Sequence, residues 1–514
     1  MLAELLAIAL LLLPYYYYLI SSSRKRNRPK YQKFTSSSTV GLLPKSYPLI
    51  GSALDIAANK ERRVQWTSDI VLSSPTATFT LRLALGSARI FTANPANVQH
   101  ILKTNFPNYQ KGFDFRTTLF DLLGDGIFNA DGDTWKSQRQ LSSHEFNTKS
   151  LRKFVETVVD TELSARLIPT LSAAAANAAA TLDLQDILQR FAFDNICKIA
   201  FGYDPGYLAP TLPEARFATA FENAVRIISG RFNSGVPQIW KIKKFLGIGS
   251  EAELKEVVSE VRDFARKIVR EKKAELKQNE SDDSIDILSR FLSSGRNFDD
   301  EFVTDIVISF ILAGRDTTSA ALTWFFWLLW KHPEVESNIL EEIREKSDTA
   351  IYEEVKDMVY THAALCEAMR LYPPVPIDTK VAANDDVLPD GTEVRQGTRV
   401  SYHPYAMGRL EEIWGKDWAE FRPERWLERG EDGKWKFVGK DPFSYPVFQA
   451  GPRVCLGKEM ALLQMKRVVA GILRSFRVVP AMEDGEEPVL ISDLTTKMKG
   501  GLPVRIEARE IRVA

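Results

Sequence analysis

Phe448-Gln449-Ala450-Gly451-Pro452-Arg453-Val454-Cys455-Leu456-Gly457 sets one cysteine in a glycine-bounded loop, directly ahead of an amphipathic helical pattern from Lys458 to Phe476. Gly451 and Gly457 suit a backbone that turns tightly and approaches a flat cofactor with no Cβ in the way. The start of the next helix offers unpaired N–H groups and a positive dipole end, which favour sulfur as thiolate. Arg453, two residues before the cysteine, is placed to reach a carboxylate on the cofactor's rim. A thiolate held this way is a ligand for haem iron, and such ligation favours O–O cleavage over reversible oxygen storage.

The loop resembles the haem-binding segment of cytochromes P-450, Phe-x-x-Gly-x-Arg-x-Cys-x-Gly, at all five fixed positions. The resemblance implies that Cys455 is the axial ligand of haem b, that Arg453 binds a haem propionate and that Phe448 shields the sulfur. A lone thiol at a helix start reads more plainly as a buried structural cysteine. Chance agreement at every fixed position is improbable.

Outside the loop, the chain has 514 residues, 45% hydrophobic and 26% charged, as in ordinary globular proteins. No internal linker divides residues 44–514, so one large domain is expected there. Its 67 basic and 67 acidic residues cancel, and nothing in that balance argues for a nucleic-acid partner. Cys197, Cys366 and Cys455 are the three cysteines; they cannot complete a disulfide framework and fit no zinc spacing. A reducing compartment is expected. Cys197 and Cys366 lack a flanking arginine–glycine loop and are expected to pack as small apolar side chains.

Leu2 to Ile20 is 19 residues interrupted only by Glu4 and Pro14. As a helix it would span about 28 Å, close to the hydrocarbon core of a bilayer. Tyr15 to Tyr18 suit the interface, and Arg24, Lys25, Arg26, Arg28 and Lys30 follow on one side only. The positive-inside rule leaves that side in the cytosol. A cleaved signal would want basic residues before the apolar run, where this chain has Glu4. The expectation is an uncleaved single-pass anchor, residues 1–20, in the endoplasmic reticulum membrane, with the catalytic domain cytosolic. A basic, Ser/Thr-rich linker, residues 21–43, follows, and Pro44 and Pro48 then stiffen the chain, as after the anchors of microsomal cytochromes P-450.

Glu301 to Trp330 is a second long apolar stretch, but Arg315 and Asp316 stand at its middle. Each costs about 2.5–3.5 kcal/mol at a bilayer centre, so a helix through the core of a soluble domain is expected. Thr78 to Leu85 and Ala88 to Thr92 alternate like strands about Gly86, and Asn94-Pro95 caps a short helix through Leu102. Leu151 to Lys277 is mainly helical, with a polar break at Asn279 to Ser284. Short strands return after Leu371. The fold expected is mainly α with a minor β portion, the cytochrome P-450 fold.

Ala313-Gly314-Arg315-Asp316-Thr317-Thr318 resembles that family's oxygen-activating motif, (Ala/Gly)-Gly-x-(Asp/Glu)-Thr-(Thr/Ser). Glycine in mid-helix costs about 1 kcal/mol, and its missing side chain is expected to open room over the haem face. Thr317 is expected to bond back to the Ala313 carbonyl and to act as the hydrogen-bond donor of a proton relay, with Asp316 linking it to solvent. The plainer reading is a buried Asp–Arg pair that satisfies itself.

Glu367 and Arg370 share a helix face. They resemble the family's Glu-x-x-Arg, completed by Arg425 of Phe421-Arg-Pro-Glu-Arg425, with Trp426 where phenylalanine is usual. This triad is implied to organise the haem's proximal side. Trp135 and Arg139 match a family pair that binds a haem propionate, and Lys380 is a further expected contact. The chain carries no flavin or dinucleotide fingerprint, so O2 chemistry would draw NADPH electrons through a separate partner. The resemblance implies the membrane-bound NADPH–cytochrome P-450 reductase, steered by Lys136, Arg139, Lys458, Lys466 and Arg467.

A closer resemblance covers nearly the whole chain. Phe128-Asn-Ala-Asp-Gly-Asp-Thr-Trp135, His144-Glu-Phe-Asn147, Ala383-Asn-Asp-Asp-Val-Leu-Pro-Asp-Gly391 and Ala363-Ala-Leu-Cys-Glu-Ala-Met-Arg-Leu-Tyr-Pro-Pro-Val-Pro376 look like plant fatty-acid ω-hydroxylases. That branch also holds hydroxylases of jasmonoyl-isoleucine, which is the alternative substrate. A reductase-independent fatty-hydroperoxide isomerase or dehydratase would keep the thiolate but has no use for Asp316 and Thr317. Oxidising a chain end requires shape to override C–H reactivity. An apolar channel is therefore expected from Phe113 to Leu123, Phe217 to Phe232, Leu312, and Val375 to Ile377. Thr495, Thr496 and Met498 are expected to complete the wall, and a carboxylate at the far end to meet either the solvent or an arginine, with Arg226 and Arg231 as candidates.

Overall fold

The computed structural model describes residues 43–509, apart from 178–179, 210, 215, 235, 237, 279–285, 297, 347–348 and 484. The expected anchor, all but the last residue of the linker, and the polar break at Asn279 to Ser284 lie outside the described residues. Among the described residues no helix is long and apolar enough to cross a membrane.

Eight helices build the region around Cys455. Gly112–Leu123 (α1) and Gly132–Ser143 (α2) come first. Leu184–Phe201 (α3) starts where the Asp183 carboxylate accepts from the Gln185 N–H, and stops at left-handed Gly202. Arg216–Phe232 (α4) and Ser250–Gln278 (α5) pack on one another. Asp300–Lys331 (α6) is capped by Asp299, which accepts from the Phe302 N–H at 2.7 Å, and acids fill its first turn. Val359–Leu371 (α7) ends ahead of Pro373-Pro374, and Lys458–Ser475 (α8) follows the cysteine loop.

The apolar stretch predicted to cross the domain's core is α6. It is apolar on all sides because protein surrounds it: α3, α5 and α7 all pack on it, and Trp324, Phe325 and Ile311 are fully buried. Each such side chain contributes about 1.5–3 kcal/mol over an exposed one.

The strands form two sheets that matter here. Thr78–Arg82 (β1) pairs antiparallel with Ala88–Thr92 (β2). The first is shorter than expected, because residues 84–86 form a 3-10 turn closed by Gly86. Tyr109–Gln110 (β3) is an edge strand, and Leu182–Asp183 (β4) belongs to the second sheet. Asp378–Ala382 (β5) and Arg399–Tyr402 (β6) complete the first, in the order β1-β2-β6-β5-β3. Phe476–Pro480 (β7) and Pro503–Ala508 (β8) pair antiparallel, and β4 adds to β8. The architecture is mainly helical with a minor sheet portion, as the sequence predicts. Asn94 caps Pro95–Gln99 as expected, its side-chain oxygen accepting from the Ala96 N–H at 2.9 Å.

His403, just past β6, is buried between the Ala406 N–H, from which Nδ1 accepts, and the Thr67 hydroxyl. Burial, with Arg409 nearby, lowers its pKa to about 3. A folded-state pKa below the unfolded value contributes stability above the unfolded pKa that is lost as pH falls through 6.5 towards 3. Lowering pH from 7 to 5 should cost about 2 kcal/mol at this site. In His403→Asn the melting temperature should fall less between those pH values than in the unaltered protein; an equal fall would contradict this.

Candidate active site

The cysteine loop is shaped by two short 3-10 turns, Pro446–Phe448 and Gly451–Arg453, with Gln449 and Gly451 at φ +63° and +64°. The Cys455 N–H donates to the Phe448 carbonyl at 2.8 Å, closing the loop on itself. A Cβ on Gly451 would run into the Leu102 carbonyl. That glycine thus serves backbone packing, and Gly457, not Gly451, lines the cavity beside the cysteine. Cys455 is enclosed by protein, yet its surface is open to the cavity. Burial pushes its thiol up, against the opposing pull of the Gly457 N–H, Arg139 and Lys458. A bound metal would hold it as thiolate, since coordination deprotonates a thiol.

The cavity is about 430 Å³ and has Cys455, Phe448 and Gly457 on one wall and Ala313, Gly314 and Thr317 of α6 among the others. The Thr317 hydroxyl donates to the Ala313 carbonyl at 2.7 Å, as predicted, and α6 runs unbroken through the motif. Two expectations here need correction. A Cβ on Gly314 would meet the Ile196 side chain at 2.5 Å, so the glycine lets α6 approach α3 closely; it does not vacate space towards Cys455. Asp316 does not line the cavity. Its carboxylate takes a bond from Arg315 at 2.9 Å, and the other arm of Arg315 reaches Glu222 on α4 at 2.8 Å. Arg315 and Asp316 are both buried, while the Glu222 side chain is 40% exposed. Any link from Asp316 to solvent passes this ion pair.

Cations gather on the cavity's rim. Trp135 and Arg139 sit one turn apart on α2, and Arg139 donates to the Val454 carbonyl at 2.7 Å. The Arg453 guanidinium lies 4.4 Å over the Trp135 ring and donates to Asp131 at 2.8 Å and to the Ala130 carbonyl. Its Nε is buried and has no partner among the described residues. Lys380 also lines the cavity, but its ammonium is held by Asp378 at 2.6 Å. Asp378 further accepts from Tyr402 and Gln449 and faces Lys111 at 3.5 Å. Burial would raise this carboxyl, but Lys111 and Lys380 outweigh it and hold it well below the usual range. Burial in turn lowers Lys111 to about 7, with Asp378 opposing.

The apolar walls differ in part from expectation. Phe115, Leu119, Leu123, Leu312, Val375 and Ile377 line the cavity as predicted. Phe113 is 80% exposed at the surface. From α4 only Ser229 and Phe232 reach the cavity, since Phe217 and Phe221 face a separate aromatic core. Asp493 and Leu494 stand in place of Thr495, Thr496 and Met498. Arg226 is spent on Glu253, and Arg231 on Glu251 and Asp121, so neither faces the cavity. The basic face also shrinks: Lys466 is buried against the Lys356 carbonyl and Arg467 is paired with Asp160, leaving Lys458 and Lys136 exposed.

Behind the cysteine loop, Glu367 accepts from Arg370 through two bonds of 2.8 Å and from Arg425 at 3.1 Å. The Trp426 Nε1–H adds a bond to the same carboxylate at 2.9 Å. That donor was not foreseen, and the tryptophan standing where phenylalanine is usual was its signal.

The cytochrome P450 family model matches residues 43–502. The chain belongs to the cytochrome P450 family. It is similar to cytochrome P450 94A2 of Vicia sativa, 64% identical over 488 residues and 94% of each chain. Cytochrome P450 94B1 of Arabidopsis thaliana is 50% identical over 471 residues, 91% of each chain. Cytochrome P450 94C1 of the same plant is 46% identical over 451 residues, covering 86% of this chain and 89% of its own. The protein is thus a plant-type P450 monooxygenase of the 94 group, and the family implies haem iron ligated by a thiolate, with O2 as oxidant. The residues fit that group: a cysteine that lines the cavity, and an Arg453 Nε on the same wall with no partner among the described residues.

Proposed function

We propose that this P450 hydroxylates the ω carbon of medium- to long-chain fatty acids, with electrons from NADPH delivered by a membrane-bound P450 reductase at the endoplasmic reticulum. The observation that carries it is one cavity holding Cys455, Thr317 and a long apolar wall from Phe115 to Leu123. In this reading Cys455 would ligate the haem iron through its thiolate, and Phe448 would cover the sulfur. Arg453, Arg139 and Trp135 would hold the haem's propionates, and Lys380 would join them by releasing Asp378. When bound, the haem activates dioxygen for insertion into a C–H bond.

The chain's own groups then have three tasks. Phe115, Leu119, Leu312 and Leu494 exclude water and align an alkyl chain end, so that position and not C–H strength selects the carbon. The Thr317 hydroxyl can turn from the Ala313 carbonyl to donate towards the reacting oxygen. Arg315 fixes the Asp316 carboxylate through one hydrogen bond, and its other arm ties that pair to half-exposed Glu222. Glu367, Arg370 and Arg425 hold the wall behind the cysteine loop.

Incubating reductase-reconstituted enzyme with dodecanoic, hexadecanoic and octadecenoic acids and with jasmonoyl-isoleucine tests the substrate. Terminal hydroxy acids are expected by mass spectrometry; turnover of the hormone conjugate alone would overturn the reading, and product without NADPH would point to a rearrangement enzyme. Thr317→Ala should cut product formed per NADPH by about 100-fold while NADPH use continues, within the range of one proton-transfer group. Unchanged coupling in a combined peroxide and product assay would remove Thr317 from the relay.

A further inference from the structure

Two arginines in the cavity wall carry buried nitrogens with no hydrogen-bond partner among the described residues. Arg63 opens the helix Arg63–Ser73, and Arg89 lies on β2. Both line the main cavity, and with Phe91 and Phe232 they also line a second, smaller one beside Trp66 and Leu81. No residue of the 448–457 loop borders that second cavity. Arg63 Nη1 and Arg89 Nε are buried without a hydrogen-bond partner among the described residues. The Arg89 Nη2 makes one long bond, 3.4 Å, to the Phe232 carbonyl. Arg399 pairs in register with Arg89 across β2 and β6 and adds a like charge.

Burial lowers Arg63 to about 10, eased by Asp493, and lowers Arg89 well below its usual value, with Arg399 and Arg63 adding to the effect. Asp493 is itself raised by burial and drawn on by Lys497 and Arg226. A buried charge without a partner is among the most costly features a fold can keep. A ligand that supplies the counter-charge removes that cost, and a planar guanidinium matches a carboxylate through two parallel bonds.

We propose that Arg63 and Arg89 form the carboxylate subsite for a long-chain acid whose other end reaches Thr317 and Cys455. They are positioning residues: anchoring one end at a set distance presents the chain's terminal carbons at the other. The subsite rests on the fatty-acid reading above, and it replaces Arg226 and Arg231, which are held by acids elsewhere.

The test titrates haem-loaded enzyme with dodecanoic acid and with 1-dodecanol, reading dissociation constants by calorimetry. The unaltered protein should prefer the acid by about 10- to 100-fold, the worth of a hydrogen bond to a charged group. Arg89→Gln and Arg63→Gln should each weaken acid binding about tenfold and leave the alcohol within about twofold. Arg89→Lys should keep part of the preference, and in the glutamine variants the oxidised carbon should spread inward from C12. Equal affinity of the unaltered enzyme for acid and alcohol would overturn the subsite without recourse to any variant. So would an unchanged ratio in both glutamine variants while C12 is still hydroxylated. Absence of C12 product from the unaltered enzyme would instead overturn the fatty-acid reading.

Discussion

Cys455→Ala is expected to abolish oxygen insertion, by about 10³-fold or more, since several kcal/mol of barrier lowering depends on the activated cofactor. The chain should still fold, because the lost thiol faces a cavity and not the packed core. Neither remaining cysteine can stand in. Cys197 is fully buried on α3 and burial pushes its thiol far up, while Cys366 on α7 is pushed up to about 12 by the same cause. Product formation with reductase and NADPH, alongside a thermal melt, checks both parts. Turnover within tenfold of the unaltered enzyme would show that the sulfur is not the ligand.

Glu367→Ala should be the most damaging change away from the cavity. The carboxylate is fully buried and serves Arg370, also fully buried, and Arg425, whose side chain is 5% exposed. Removing one member of a buried ion network costs about 3–5 kcal/mol, because the partner charges stay behind without compensation. Arg370 would keep its bonds to the Gly408, Trp418 and Glu420 carbonyls, and Arg425 its bond to Asp417. The Trp426 Nε1–H would lose its acceptor. The expected result is a much lower melting temperature and little haem recovered per chain. Glu367→Gln, which keeps an acceptor oxygen but loses the charge, should fall between. A melting temperature within a degree of the unaltered protein would contradict this view of the triad.

What could be read from sequence alone was what short stretches encode by themselves. The cysteine loop, the bond from Thr317 to the Ala313 carbonyl four residues back, and the Asn94 cap each depend on neighbours in the chain. So does the pairing of Glu367 with Arg370, and a known spacing pattern supplied Arg425. The misses share one cause: their partners lie far along the chain. Gly314 looked like vacated space because Ile196 of α3, against which it packs, could not be placed. Asp316 looked free to reach solvent because Glu222, which holds its neighbour Arg315, lies 93 residues earlier. Arg231 was a fair candidate for a carboxylate until Glu251 and Asp121 were found on it. Arg63 and Arg89 carried no signal at all, since an unpaired arginine is visible only when every possible partner has been located. Leu494 likewise became part of the wall through the strand turn that brings it to the cavity.

The central claim is that the Cys455 sulfur holds haem iron across the cavity from Thr317. The most direct measurement is the absorption spectrum of the reduced, carbon-monoxide-treated protein. The account predicts a Soret band at about 450 nm, the mark of thiolate ligation, present in the unaltered enzyme and in Thr317→Ala and absent in Cys455→Ala. A band that persists unchanged without Cys455, or fails to form with it, would contradict the account.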